Sequence, residues 1–514
     1  MKKVTKLFGA LLALVMVFTS VFALNANSVV AKAEDAVLYD SREEYKDFKY
    51  IIVNGDATVV GYADGTKTSL VIPAFMIDEA GKKYKVTKIG DFAFADNDRL
   101  VTVTFPYYLT TIGASAFAGD KKLETIIFAP NSLVTTIGEK AFLDCTALTN
   151  LGLEKSKGIV LPYNVKTIGE SAFENCVSVK TVELTKSIRK LGAAAFRGCI
   201  GITSFEFAGS YSKIPNEFLS GAISLKEVSG ISSNVQIIGT KAFKSCSSLK
   251  KVTLKSKVTK IYSRAFEGCT SLTSINIPSK VTSIGKYAFN NCVALDNIKL
   301  PATLTYLGAS AFQACESLTS INVPSKITKL ETHVFFGCKS LKNVTISGKL
   351  TSVGNGAFSS CSSIASIKLP STLTSIAKNA FSNCTALTSI TIPSKVKTIG
   401  DSAFAGDTAL TKVTFSAALT SIGASAFSGC NALKAATIPS KVSKIGANAF
   451  TCSNLTTLTI KTTKLTTDNV ANDAFEGTPV EITVRVPKAK LKTYQQFLIY
   501  NNKGISKHST FKSF

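Results

Sequence analysis

The sequence predicts an α/β solenoid, a curved stack of about sixteen coils with about 23 residues in each coil. A leading apolar residue, usually followed by glycine, recurs from Ile89 to Ile445, and twelve of its fifteen intervals are 23 residues long. An Ala-Phe pair and a short run of alternating apolar and polar residues follow at fixed distances in each unit. Because so short a unit cannot bury its apolar face alone, neighbouring units must stack.

Each unit contains one predicted strand. In the unit that begins at Ile261, residues 272–277 alternate between apolar and polar side chains, which is typical of a strand with one buried face. Pro278 ends this strand, because proline has no N–H to donate to a neighbouring strand. The stacked strands are predicted to form one parallel sheet with a spacing of about 4.8 Å per coil. The segment around Phe266 predicts a short helical or 3-10 turn opposite the sheet.

Phenylalanine occupies one position in fifteen of the sixteen units, and the sixth unit carries Phe218 one place earlier. We interpret this column as a buried spine and not as a platform for a ligand. The position after the leading residue is glycine in twelve units, and in the other four it is Pro215, Tyr262, Glu331 and Ala377. Since a position that required a positive φ would not accept these residues, we interpret the glycine as an aid to the turn.

Eleven of the 12 cysteines share one position of the unit. The uninterrupted runs of this thiol column contain three, seven and one cysteines, so complete pairing between neighbours is impossible. The sequence therefore predicts buried free thiols that act as small apolar filler. A metal site would need Cys or His clustered at short spacing, and the sequence has no such cluster. The column comprises Cys145, Cys176, Cys199, Cys246, Cys269, Cys292, Cys315, Cys338, Cys361, Cys384 and Cys430, and Cys452 lies one place early.

The chain divides into a predicted export signal, an array and two caps. Residues 1–33 resemble a removable secretion signal, with a lysine-rich start, an apolar run and Ala-Lys-Ala at residues 31–33. Residues 34–88 predict an irregular N-terminal capping coil, residues 89–460 the repeat array, and residues 461–514 a degenerate last repeat with a basic C-terminal cap. Residues 491–499 predict a short closing helix. An insertion of about eight residues around 154–161 predicts a loop on one side of the stack.

The net charge of +25 favours anionic surroundings such as cell-wall polymers, acidic glycans or acidic lipid head groups. Nucleic acid fits the charge alone, but export makes it a poor partner. His333 and His508 are the only histidines, and neither has a nucleophile in register. No pair of carboxylates recurs and no catalytic motif occurs. We therefore expect no enzymatic activity, no cofactor and no metal, and no later segment predicts a membrane span.

Two surfaces are candidates for binding. After the turn that follows each strand, lysine recurs at one position and forms a candidate polyanion stripe, which comprises Lys257, Lys280, Lys326, Lys349, Lys395 and Lys441. The outward strand positions are small and polar, and the candidate contacts on this strand face are Thr273, Ser274 and Asn276. Weak repeated contacts of this kind suit a polymer or a glycan. The alternative for both surfaces is a solvated exterior that prevents aggregation.

The segment 284–292 reads Ile-Gly-Lys-Tyr-Ala-Phe-Asn-Asn-Cys and is followed by Leu295, Ile298 and Leu300-Pro301. It resembles the BspA-like leucine-rich repeat family of bacterial surface proteins. The resemblance covers about residues 58–487 and implies a curved leucine-rich-repeat stack in an exported protein. Several members of the family are tied to adhesion to host proteins or other cells.

We therefore expect a secreted or cell-surface binding protein that uses its solenoid to engage a host protein, a glycan or an anionic cell-wall polymer. We expect this protein to be a monomer. The alternative is a structural protein of the envelope that charge holds on the cell surface, without a specific ligand.

Overall fold

The structure is a computed structural model that describes residues 37–154 and 157–514, so the predicted signal at residues 1–33 lies outside the described residues. The predicted solenoid is confirmed, and it contains about 18 stacked coils. The regular units supply sixteen of these coils. A further coil lies at each end, since Val59 pairs with Ile89 before the first unit and Val470 bridges to Ile445 after the last unit.

Most coils contribute to two rows of parallel strands, which we call the long row and the short row. The long row contains the strand predicted from sequence, with Val252 paired to Ile275 in the next coil. The short row contains the leading residue and the residue before it, with Ile261 paired to Ile284. The sequence predicted only one sheet. The strands of the short row could not be found from the sequence, because two residues are too few to show an alternating pattern.

The bounds of the strands follow the repeat. The N-terminal strands before the second unit are Leu38–Tyr39, Phe48–Val53, Asp56–Tyr62, Ser69–Val71, Phe75–Ile77 and Lys83–Ile89. The short row continues with Thr111–Ile112, Thr136–Ile137, Thr167–Ile168, Lys190–Leu191, Lys213–Ile214, Ile237–Ile238, Lys260–Ile261, Ser283–Ile284, Tyr306–Leu307, Lys329–Leu330, Ser352–Val353, Ser375–Ile376, Thr398–Ile399, Ser421–Ile422 and Lys444–Ile445. The long row contains Thr102–Phe105, Thr125–Phe128, Asn150–Gly152, Gly158–Val160, Thr181–Glu183, Ser204–Glu206, Glu227–Ser229, Lys251–Thr253, Ser274–Asn276, Ser320–Val323, Asn343–Ile346, Ser389–Thr391, Lys412–Thr414, Ala435–Ile438, Thr457–Ile460, Thr483–Val486 and Thr510–Ser513.

The segment around each phenylalanine forms turns and not the predicted helical or 3-10 turn. Within it, Ser310 and Ala314 adopt left-handed backbone conformations with φ values of 56° and 57°. The N–H groups of Ser310, Phe312 and Ala314 donate to carbonyls 22 residues further along, at 2.9, 2.9 and 2.7 Å. These bonds give the coils a third line of contact with their neighbours. They also satisfy the backbone of a segment that is too buried to be solvated by water.

The glycine after the leading residue allows close stacking between coils in the units that have it. A Cβ atom at Gly308 would lie 2.5 Å from the backbone nitrogen of Lys286 and 2.7 Å from the carbonyl carbon of Gly285. Gly308 is not among the residues with positive φ. This glycine therefore permits the approach of two backbones, a role that the sequence did not reveal, and its contribution to the turn stays a prediction.

The phenylalanine column forms the buried spine that the sequence predicted. The ring of Phe312 stacks on those of Phe289 and Phe335, with centroid distances of 5.3 and 5.8 Å. Phe312 is completely buried. In the sixth unit, the ring of Phe218 is also buried and lies edge-on to Phe196 at 5.5 Å. A one-place shift in the sequence is therefore absorbed by a rotated ring without opening the core.

The two ends and the insertion complete the stack. The predicted closing helix is confirmed as an α-helix at Leu491–Tyr500, which buries Tyr494, Phe497 and Leu498 and follows a 3-10 turn at Lys488–Lys490. The insertion does not simply form a loop, since Gly158–Val160 is a strand of the long row. It pairs with Asn150–Gly152 on one side and with Thr181–Glu183 on the other.

Replacement of Phe312 by alanine should lower the free energy of unfolding by about 3–5 kcal/mol, because it leaves a cavity in a stacked core. Chemical denaturation measures this change. Tyr163→Ala serves as the control, since Tyr163 is 73% exposed and its loss should cost less than about 1 kcal/mol. Equal effects of the two variants would contradict the assignment of Phe312 to the core.

Candidate functional site

The six residues of the polyanion stripe are all exposed, and they lie in the turns that connect the long row to the short row. None of the six forms an ion pair with any residue in the part of the chain that the structure describes. The Nζ atom of Lys257 donates to Oδ1 of Asn234 at 2.7 Å, which is a neutral partner. Lys257 and Lys280 lie in adjacent coils, as do Lys326 and Lys349, so each pair is separated by about 5 Å of stacking distance.

The stripe belongs to a larger surface that we call the basic edge. It consists of nine successive turns, from residues 255–260 to residues 439–444, and these turns contain eleven lysines and no acidic residue. Glu331 is close to this edge, and its carboxylate lies 3.7 Å from Lys329. The remaining lysines therefore present positive charge that no carboxylate of the edge neutralises.

The net charge is concentrated in one half of the solenoid. Residues 37–240 contain 22 acidic and 22 basic residues, whereas residues 241–514 contain 10 acidic and 33 basic residues. In the neutral half, acidic and basic groups pair with each other. Arg197 contacts Glu217 at 2.6 Å and Glu174 at 2.5 Å, and these two partners raise its pKa. Sequence reasoning missed this division, although a charge count for each half of the chain would have found it.

The strand-face candidates already have partners within the protein. The hydroxyl of Thr273 donates to the carbonyl of Lys250 in the preceding coil at 3.3 Å. The side chain of Asn276 donates to the carbonyl of Leu254 at 2.9 Å and accepts the N–H of Leu254 at 2.8 Å. Ser274 lies between them and pairs through its backbone with Lys251. The role of these three residues as ligand contacts stays a prediction, and Asn276 has a structural role beside it.

The thiols are free and buried, as predicted, and all 12 cysteines lie in the described residues. Each Sγ atom donates to the carbonyl oxygen of a residue in the preceding coil, which is phenylalanine in all cases but one, where it is leucine. The distance from Sγ of Cys315 to the carbonyl oxygen of Phe289 is 3.2 Å. Burial raises the pKa of Cys199, Cys269 and Cys338 to about 12. Because the thiolate is the nucleophile, a thiol held in this state is unreactive at neutral pH.

Two aspartates occupy the position of the thiol column and are completely buried: Asp120 in the unit before the first cysteine, and Asp407 at a break in the column. Oδ1 of Asp407 accepts the N–H of Cys384 at 2.8 Å, and Oδ1 of Asp120 accepts the N–H of Asn97 at 2.7 Å. Burial raises the pKa of Asp407 to about 9 and the pKa of Asp120 to about 8, and these hydrogen bonds oppose the rise only in part. Both carboxyls are therefore mainly protonated at pH 7.

The two histidines and the other titratable residues were the remaining candidates for a metal site. His333 adopts a left-handed backbone conformation with a φ of 55°. Its ring packs edge-on against the ring of Phe336, with a distance of 5.3 Å between the ring centroids. Among the described residues, no three His, Cys, Asp or Glu side chains lie close enough together to hold a metal ion. The same residues contain no helix of the length and hydropathy that would cross a bilayer.

Residues 79–157, 152–273, 259–388 and 374–506 match the family model of the BspA type leucine-rich repeat region. The chain belongs to this family. A leucine-rich repeat protein from Bacteroides ovatus has a TM-score of 0.55 and 21% identity, with 91% of this chain and 98% of that chain covered. A leucine-rich cell surface protein from Faecalibacterium prausnitzii is 26% identical, covers 78% of this chain and 94% of its own, and has a TM-score of 0.39.

The BspA type family consists of repeat proteins of the bacterial surface type, and no catalytic family matches the chain. The pneumococcal vaccine antigen PcpA is 15% identical over 93% of this chain and 99% of its own, with a TM-score of 0.37. Comparison with curated proteins finds no match.

Alkylation should distinguish buried thiols from reactive ones. In the native protein we expect slow labelling by iodoacetamide, because the thiols are buried and their pKa values are raised. In urea, without reductant, we expect all 12 cysteines to react. Mass spectrometry counts the labels, and fast native labelling or disulfides that persist in urea would contradict the buried-thiol assignment.

The double variant Asp120→Asn/Asp407→Asn should remove a pH-dependent loss of stability. The pKa of each carboxyl is raised in the folded chain to about 8 or 9, whereas an aspartate in an unfolded chain titrates near about 3.9. The stabilising contribution of the protonated form is therefore complete below about pH 4. It is lost as the pH rises toward these folded values, by up to about 1.4 kcal/mol per pH unit for each group. Urea denaturation at pH 5 and pH 8 measures the effect, and equal pH dependence in parent and variant would refute it.

Proposed function

We propose that this chain is a non-enzymatic binding protein of the bacterial surface whose basic edge engages an anionic cell-wall polymer or an acidic glycan. The observation that carries this proposal is the edge itself, with eleven lysines and no acidic residue in nine successive turns. The six lysines of the stripe lack ion-pair partners among the described residues, so their charge is available to a ligand. Membership of the BspA type family supports a binding role of this kind.

The geometry of the edge favours a polymer over a small ligand. Six of the nine turns carry lysine at one position, and lysines that recur along a stack match charges that repeat along an extended chain, so each contact adds to the others. The nine turns of the edge contain one exposed aromatic residue, Tyr306, and lack the cluster of aromatic anchors that dominates compact protein interfaces. Retention outside the cell by such contacts is also part of the proposal, since the predicted signal at residues 1–33 would export the chain.

The test is a variant in which Lys257, Lys280, Lys326 and Lys349 are all replaced by glutamine. Each exposed contact with an anion contributes about 0.3–0.5 kcal/mol, so the variant should bind isolated wall polymer about tenfold more weakly at low salt. Binding by the parent protein should itself weaken at high ionic strength, because exposed charges are screened within about 8 Å at physiological salt. Sedimentation with purified wall polymer measures both effects.

A matched control removes the same charge elsewhere, by replacing Lys121, Lys122, Lys286 and Lys378 with glutamine. These residues are exposed and lie outside the basic edge. If the stripe variant and this control bind equally well, the lysine stripe serves solubility and the proposed function is wrong. Unchanged thermal unfolding of both variants shows that folding is intact.

A further inference from the structure

Two coils contribute no strand to the long row, and the pairing of this row also breaks between the strands Lys412–Thr414 and Ala435–Ile438. Residues 297–300 and 366–369 form no strand in the described chain, and only one bridge, between Ser274 and Asn297, joins either segment to a neighbouring coil. Elsewhere, Ser320–Val323 pairs with Asn343–Ile346 over four residues. At the two interruptions, backbone groups that a parallel ladder would use are therefore left without their usual partners.

Both interruptions carry the same sequence, Ile-Lys-Leu-Pro, at residues 298–301 and 367–370. Leucine stands before the proline in these two coils, whereas the coils with strands at Ser274–Asn276, Ser320–Val323 and Ser389–Thr391 carry isoleucine or valine there. β-branched residues favour the extended backbone of a strand, and leucine and lysine favour it less. The two gaps share the whole sequence Ile-Lys-Leu-Pro, whereas leucine alone does not prevent a strand, since Leu254 follows the paired strand Lys251–Thr253.

A hollow lies on the strand face at each interruption. The first, of about 590 Å³, is lined by Lys251, Thr253, Ser274, Asn276, Asn297 and Lys299, among others. The second, of about 610 Å³, is lined by Ser366, Lys368, Pro370, Ser389, Thr391 and Ser394, among others. We call these hollows the first cleft and the second cleft. Each therefore combines an exposed lysine with hydroxyl or amide groups and with an unpaired stretch of backbone.

The charge of the clefts is positive. No acidic residue lines either cleft. The outward positions of the long row between residues 241 and 460 include one acidic residue, Asp296, which lies next to the first cleft but does not line it. Lysine together with free backbone N–H groups is the donor set that binds oxyanions in proteins.

We propose that the first and second clefts bind oxyanion groups of one linear polymer that lies along the strand face. Lys299 and Lys368 occupy the same position three coils apart, which is a distance of about 14 Å at 4.8 Å per coil. Asn322 and Thr345 occupy this position in the two coils between them, so polar side chains line the path from one cleft to the other. This inference rests on the proposed function, because it assigns a second, more specific contact to the same class of ligand.

The experiment compares binding of two probes, an oligogalacturonate with carboxylates and a poly(glycerol phosphate) with phosphodiesters. The variant Lys299→Gln/Lys368→Gln should bind at least one probe about fivefold more weakly than the parent. The control Lys286→Gln/Lys378→Gln loses the same charge from exposed positions outside both clefts and should bind as the parent does. The probe that responds identifies the oxyanion as carboxylate or phosphodiester.

If the cleft variant binds both probes as tightly as the parent while the stripe variant binds weakly, the clefts are not a binding site and the proposed function stands. If the parent binds neither probe nor wall polymer, the proposed function itself fails.

Hydrogen exchange of backbone amides tests the unpaired backbone at the clefts separately from the lysine charges. Amides at residues 298–300 and 367–369 should exchange faster than those at residues 321–323, which lie in a paired strand. Addition of the responding probe should slow exchange at both clefts in the parent protein. Exchange at the clefts that is already as slow as at residues 321–323, or that the probe leaves unchanged, would overturn the proposal.

Discussion

The distance between neighbouring coils is the constraint on which the rest of this structure depends. Lines of backbone hydrogen bonds in the long row, the short row and the turn segment hold the coils together, although the pairing in each row has breaks, as between Leu191 and Ile214 in the short row. Rings that repeat once per coil are thereby brought to centroid distances such as 5.3 Å for Phe289 and Phe312, within the range of favourable aromatic contact. The same spacing places each thiol beside a carbonyl of the preceding coil and leaves room for no side chain at Gly308.

Much of this architecture could be predicted from the sequence because the same residue types recur at the same positions in sixteen units. The long row, the ring spine, the buried thiols and the closing helix each follow from residue type at a recurring position. What could not be predicted depends on contacts between units. The two-residue strands of the short row have no pattern of their own. The left-handed residues of the turn segment, such as Ser310 and Ala314, include types that have no intrinsic need for that conformation.

The candidate surfaces also divide into features that the sequence predicted and features that depend on contacts between coils. The exposure of the lysine stripe follows from its position after a turn, and the sequence was sufficient to locate it. The engagement of Asn276 with the backbone of Leu254 requires the register of two coils, which a single unit does not reveal. The missing strands around Ile298 and Ile367 were even harder to predict, since the sequence there differs little from that of coils whose strands are paired.

The uneven charge of the solenoid has a consequence for its orientation. A rod with balanced charge over residues 37–240 and an excess of 23 positive charges over residues 241–514 has a large electric dipole along its axis. Near a negatively charged envelope, the field exerts a torque that turns the basic half inward before any contact forms. The neutral half then points away from the envelope. Under the proposed function, the molecule arrives at the envelope already aligned, and its outer coils stay accessible from the medium.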